Sequence, residues 1–349
     1  MSRKRALLLV VLALLALAVC RRQEAAQPAP SASGQTSVPV PAQTSAPGPG
    51  QTSAPAPVGP KLAGDRMVFN SDRSGNHEVY SMKLDGSDQN RLTNDPAFDT
   101  WWGRISPDRA RILFYRTPKG VHDRDYGQTS LWMMNADGTE QHQLRAKGAD
   151  GWELQGHGEW APDGSQLVMF GGSRLNPQLF ITDTQGKVIR QVTRRGGQNL
   201  DPSWSPDGKT IVFVACPTSI CVPRDYEIFT IPAGGGDARR LTSNTIRDHD
   251  PYYSPDGTRI AWLAETETTG PAGVWNIFLM IATGAEQRNV TNDGNINSRP
   301  EWARDGTRIF FHRVERGQLR FSIFSIRPDG TGLTEITKGA PGTNEYPST

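Results

Sequence analysis

Few residues in this chain could carry chemistry. Six histidines and three cysteines stand among 349 residues, and one aspartate recurs at regular spacing. The recurrent aspartate sits in Ser106-Pro107-Asp108, Ala161-Pro162-Asp163-Gly164, Ser205-Pro206-Asp207-Gly208, Ser254-Pro255-Asp256-Gly257 and Arg304-Asp305-Gly306. An array of carboxylates suggests acid–base or metal chemistry, but the local sequence argues for turns. Proline presets φ at the first central position, aspartate tolerates the second and glycine closes the turn. We therefore read Asp108, Asp163, Asp207, Asp256 and Asp305 as turn residues that bond their own backbone. The best local set for a metal is Asp248-His249-Asp250, since carboxylate and imidazole are suitable ligands. With His157 and Asp201 it could converge on a divalent cation, the one cofactor the pattern allows; polar residues at a strand start are the competing reading. There is no Gly-x-Ser-x-Gly elbow, His-Glu-x-x-His, paired Cys-x-x-Cys or P-loop, so no catalytic residue is assigned.

The aspartates are spaced by 55, 44, 49 and 49 residues, which marks a repeat of stacked supersecondary units. Around each turn lie short apolar runs. Ile112-Leu113-Phe114, Ile211-Val212-Phe213 and Ile309-Phe310-Phe311 follow it, and Val79-Tyr80-Ser81-Met82 and Ile228-Phe229-Thr230-Ile231 exemplify a third run. Asp85-Gly86, Asp137-Gly138 and Asp329-Gly330 then turn the chain into a fourth strand ending in pairs such as Leu92-Thr93 and Leu241-Thr242. Four antiparallel strands per unit, six times over, predict an all-β, six-bladed β-propeller. The first unit lacks its first strand, and the tail around Tyr346-Pro347 aligns with it. The C-terminal strand is thus expected to close the ring.

The remaining segments organise the chain around this head. Arg3-Lys4-Arg5 precedes an apolar run from Ala6 to Val19, short for a membrane span and right for an export signal over 1–19. Leu17-Ala18-Val19-Cys20 resembles a lipobox with Cys20 as the lipidated residue; cleavage after Ala18 is the alternative. Residues 20–60 are rich in Pro, Ala, Ser and Gln, with Gln-Thr-Ser at 35, 43 and 51, and read as a disordered linker. Cys216 and Cys221 fall in one hairpin loop, where an exported protein would pair them as a disulfide. The head then covers 61–349. A formal charge of +2, partly from the leader, gives no argument for nucleic acid.

Strand order places the Ser-Pro-Asp-Gly turns on one face and the long loops 116–129, 215–226 and 264–274 on the other. The innermost strands start on the loop face. Their aligned first residues are Trp102, His157, Asp201, Asp250, Arg299 and Tyr346, with His249 one step back. These should ring the mouth of the channel, where aromatics and charges suit a protein or peptide partner. A solvated lining, with pairs such as Asp201–Arg299, is the bland alternative.

The repeat, running through Phe69-Asn70-Ser71-Asp72-Arg73, Val79-Tyr80, Asp85-Gly86, Leu92-Thr93 and Trp204-Ser205-Pro206-Asp207-Gly208, resembles the propeller repeats of the Tol-system periplasmic protein TolB and its relatives. The resemblance spans about 61–349. It implies a non-enzymatic cell-envelope protein whose propeller mouth takes a protein or peptide; the head is expected to be a monomer. TolB carries an N-terminal α/β domain, where this chain has the linker. The combined expectation is a lipid-anchored, exported binding protein. The alternative is a channel-site lyase or hydrolase on a polysaccharide or glycan, with or without a cation.

Overall fold

A computed structural model describes residues 59–216, 218, 225–267 and 273–349. The expected leader, the linker to residue 58, Cys20 and Cys221 lie outside them. The first unit is β1 (Arg66–Ser71), β2 (Glu78–Lys83) and β3 (Asn90–Arg91). The second is β4 (Phe98–Ile105), β5 (Arg111–Pro118), β6 (Ser130–Asn135) and β7 (His142–Arg145). The third and fourth are β8 (Leu154–Trp160), β9 (Gln166–Gly172), β10 (Pro177–Asp183) and β11 (Val188–Gln191), then β12 (Asn199–Trp204), β13 (Thr210–Ala215), β14 (Glu227–Pro232) and β15 (Arg239–Arg240). After these come β16 (Asp248–Tyr253), β17 (Arg259–Glu267), β18 (Val274–Ile281), β19 (Arg288–Asn289), β20 (Ile296–Trp302), β21 (Ile309–Val314), β22 (Ser322–Ile326) and β23 (Thr334–Glu335). The last strand, β24 (Asn344–Ser348), pairs antiparallel with β1.

The fold is an all-β propeller, but the expectation of six separate blades is corrected. Four sheets stand apart as four-stranded blades, and β16 to β23 form one eight-stranded sheet. The join is a parallel bridge between Trp275 and Ile296, with the Trp275 N–H donating to the Asn295 carbonyl at 3.2 Å. Its physical cause is strand length. β18 runs eight residues, so its first turnward residues reach the start of β20.

The sequence motifs have specific backbone work. Each turn aspartate accepts the N–H two residues on, from Ala110, Ser165, Lys209, Thr258 and Thr307, at 2.9–3.1 Å. Hydroxyl bonds from Ser106, Ser205 and Ser254, and the backbone contacts at Asp163 and Asp305, lead in holding the five carboxyls below their ordinary range. The threonine ending the fourth strand also has a reason. Thr93, Thr193, Thr242, Thr291 and Thr337 accept the N–H of Val79, Leu179, Ile228, Ile277 and Ile323 at 2.8–3.0 Å. They satisfy strand donors where the short outer strands, of two to four residues, have run out.

One turn departs from glycine. Arg109 takes φ 61°, in the place where Gly208 has φ 69°. Its guanidinium compensates by donating to the carbonyls of Leu62, Ala63 and Arg66 at 2.9, 2.8 and 2.6 Å, which fixes the chain entering β1. The apolar core lies between neighbouring sheets. Ile211, Phe213, Phe229 and Ile231 pack on Val168, Phe170, Leu179 and Ile181, all buried. Each such side chain contributes about 1.5–3 kcal/mol on burial.

Candidate functional site

Every innermost strand carries a β-bulge at the same place. In β12 the register passes from Leu200↔Val214 to Ser203↔Val212, two residues opposing one. The same shift occurs after Trp101 in β4, Gly156 in β8, His249 in β16 and Ser298 in β20, and at the β24–β1 pair. The bulged residues are Trp102, His157, Asp201, Asp250, Arg299 and Tyr346, with φ of 59°, 47°, 47°, 47°, 51° and 52°. A left-handed conformation costs a side-chain-bearing residue roughly 1–2 kcal/mol. The next residue is Gly103, Gly158, Pro202, Pro251, Pro300 or Pro347. Proline suits a bulge because the ladder there needs no N–H from it.

The bulges bring these side chains together at one end of the channel, and they are mostly buried. His157 lies flat on the Trp102 indole, centroids 3.8 Å apart and planes 12° apart. The Arg299 guanidinium carbon is 3.3 Å from the centre of that indole, and that of Arg104 is 4.8 Å away. Asp201 does not pair with Arg299. Its carboxylate sits between two imidazoles, 2.6 Å from His157 Nδ1 and 2.9 Å from His249 Nδ1. Burial opposes ionisation of Asp201, but the two histidines win and hold its carboxyl far below the ordinary range. Asp250 is pushed up instead, by burial and then by the Asp201 charge, with Arg299 pulling the other way. Burial raises the phenols of Tyr126, Tyr252 and Tyr346, which stay protonated donors.

A deeper layer completes the site. Glu159 Oε1 accepts from Arg299 at 2.6 Å, from Arg104 at 2.9 Å and from the Tyr252 hydroxyl at 2.8 Å. Arg299 also donates to the Tyr252 oxygen. Buried charges persist only when paired in this way. Above the mouth lies the β5–β6 loop. Asp123 accepts from the hydroxyls of Tyr126 and Tyr346, the latter at 2.7 Å. The Tyr126 hydroxyl also meets His157 Nε2 at 2.7 Å. Tyr126 stands edge-on to His157 and Tyr226 edge-on to His249, at 5.2 and 5.1 Å.

All seven mouth residues read from the sequence thus meet, directly or through one neighbour. The Asp248-His249-Asp250 set does not converge. Asp248 turns away, accepting from Trp262 Nε1 at 2.9 Å and Asn244 Nδ2 at 3.2 Å. The atoms that do approach within 4.8 Å of one another belong to His157, Asp201 and Asp250. Glu159, Arg104 and Tyr252 were missed, although they stand two residues after aligned mouth positions. Asp123 was missed too; Tyr126 lies in the Arg-Asp-Tyr that recurs at 124–126 and 224–226, which reads from the sequence as a rim contact or a solvated loop.

No family model matches the chain. It is 28% identical to a protein TolB homolog of Chlorobium luteolum over 179 residues, 50% of this chain and 36% of that one. The chain therefore matches about a third of the length of this relative. The solved TolB of Acinetobacter baumannii superposes with a TM-score of 0.63 at 15% identity, covering 81% of this chain and 66% of that one. An oligogalacturonate lyase superposes at 0.50 with 15% identity, covering 78% and 73%. Sequence similarity to one TolB protein and fold similarity to another point the same way: the chain is a β-propeller that is TolB-like.

Proposed function

We propose that the protein is an exported cell-envelope binding protein that takes a protein or peptide partner at the loop-side end of its propeller channel. Residues 1–19 act as the export signal, Cys20 carries the lipid anchor and the linker to residue 60 spaces the head from the membrane. The head works as a monomer, with Cys216 and Cys221 pairing to staple one of its loops. The observation that carries the reading is the set of aligned left-handed residues. Backbone strain persists where the surrounding structure over-determines it, and it concentrates at binding and switch sites. Here it fixes an aromatic and charged cluster beneath one loop, with the His249 side chain 23% exposed at its rim. The TolB likeness favours an envelope partner; a fold alone hosts many functions.

The test is in-cell crosslinking of the full chain against His249→Ala/Asp250→Gly, with matched folding checked by circular dichroism. The expected result is a partner captured by the wild type and lost in the variant. Equal capture by both would sink the reading. The convergence of His157, Asp201 and Asp250 keeps a channel-site lyase or hydrolase on a polysaccharide as the second reading. Release of shortened glycan by the purified head, abolished by Asp201→Asn, would establish it instead. For the anchor, the mature N-terminus decides: intact-mass measurement should find lipid on Cys20, and an unmodified chain beginning at Val19 would refute it.

A further inference from the structure

Beside the mouth network, three side chains from distant parts of the chain converge without satisfying each other. His77 lies between β1 and β2, His122 in the β5–β6 loop and Glu345 in β24. Glu345 Oε2 is 3.7 Å from His77 Nδ1 and 3.8 Å from His122 Nε2. The three side chains are 12%, 17% and 9% exposed. Both His77 Nδ1 and Glu345 Oε2 are buried with no hydrogen-bond partner among the described residues. The two imidazole rings are in contact, centroids 3.5 Å apart and planes tilted by 35°. Buried groups in native proteins are almost always satisfied, so orphans aimed at one point imply something between them.

The second layer fits a metal. Asp99 is buried and accepts the N–H of His77 at 3.0 Å and of Gly120 at 2.6 Å. Oδ1 takes the His77 bond, and Oδ2, which takes the Gly120 bond, also faces His122 Nδ1 at 3.5 Å. A carboxylate behind one ring nitrogen fixes the tautomer and leaves Nε2 free to ligate.

We propose that His77, His122 and Glu345 bind one borderline-soft divalent cation of the zinc class, which clasps the closing strand, the first blade and the β5–β6 loop. Two imidazoles and one carboxylate suit zinc and its neighbours, whereas calcium and magnesium demand oxygen ligands. Metal–ligand bonds of about 2.0–2.2 Å in a tetrahedron set ligands roughly 3.3 Å apart. The two carboxylate–imidazole separations, 3.7 and 3.8 Å, need to close by about half an ångström, and the rings, now 3.5 Å apart, need to spread so that both nitrogens face one ion. Three protein ligands leave a fourth position for water. The site joins residues 77, 122 and 345, so the ion would hold both ring closure and the loop covering the mouth.

The test uses the untagged full chain, stripped with chelator and titrated with zinc, calcium and magnesium chlorides. Metal content and thermal unfolding are read together. The expected result is one zinc per chain and a rise in Tm with zinc alone, as ligand linkage requires. His122→Ala changes a loop residue and Glu345→Gln keeps the shape of the closing strand; each should weaken zinc at least about tenfold and abolish the Tm rise. Asp99→Asn should weaken it by about 10–100-fold, as for other carboxylates behind ligating histidines. The exposed-histidine control His142→Ala should change nothing. Failure of the wild type to bind zinc would overturn the proposal. So would a zinc site that survives both ligand variants or disappears in His142→Ala.

Discussion

His312 gives the sharpest prediction about stability. It sits in β21, 3% exposed, and its Nδ1 accepts the N–H of Tyr346 in the closing strand at 3.2 Å. That bond needs a neutral ring. Burial, then the charges of Arg299 and Arg104, depress its pKa to about 3. The unfolded chain has the ordinary value near 6.5, so below that pH the unfolded state binds a proton that the native state refuses. The sign follows: the contribution is fully present above pH 6.5 and is lost as pH falls towards 3. At pH 5 the unfolded state gains a factor of about 30, or about 2 kcal/mol. This figure barely depends on the native pKa, provided that it lies below about 4. Urea unfolding at pH 7 and pH 5 should show the wild type losing this amount beyond His312→Asn, whose amide oxygen can accept the same N–H. Parallel losses in the two proteins would refute the argument.

Other perturbations have their own expected outcomes. Asp248 is fully buried and its carboxyl is pushed up to about 7, chiefly by burial. A raised acid has the opposite sign: stability is greatest near pH 4 and falls as pH rises through 7, so Asp248→Asn should flatten a loss of about 2–3 kcal/mol between pH 5 and 8. Phe213→Ala should cost about 3–5 kcal/mol in urea titrations, because Phe213 fills the space between two sheets. Deleting 344–349 removes β24 and opens the β1 edge, and the Tm should fall by roughly 10 °C or more. Arg109→Gly relieves a positive φ but frees three carbonyls; limited proteolysis should then cut before Arg66, and an unchanged pattern would show that the arginine anchors nothing.

What was legible in the sequence was what the chain repeats. Turn chemistry identified the five aspartates as structural, and each does bond its own turn. Aligning the repeats also found the mouth positions, because a bulge held in register leaves its residues in register. The count of separate blades was not legible. It depended on one bridge, Trp275 to Ile296, made by a strand one to three residues longer than its counterparts. Nor were the partners within the site. Asp201 chose two histidines over Arg299 because Glu159, one layer deeper, claimed the arginine. The loop residue Asp123 belongs to no repeated motif, so no alignment could place it.

The left-handed positions themselves carry the last argument. If backbone shape were all that mattered there, glycine would be the residue of choice, since it adopts positive φ without a steric penalty. None of the six is glycine, and each bears a large or charged side chain. The side chains are therefore retained against a local cost. Asp250 separates the two requirements best, because burial and the Asp201 charge already disfavour its ionised form. Asp250→Gly removes the strain and the like-charge contact while giving the unfolded chain more freedom. The net change in stability should stay within about 1 kcal/mol. Asp250→Ala keeps the strained φ and should be the less stable of the two in urea. If the glycine variant folds as well as the wild type yet captures no partner, stability has been kept at the expense of recognition, as expected of a binding site. If it loses more than about 2 kcal/mol, the aspartate is a structural member of the channel, and the recognition argument fails at that position.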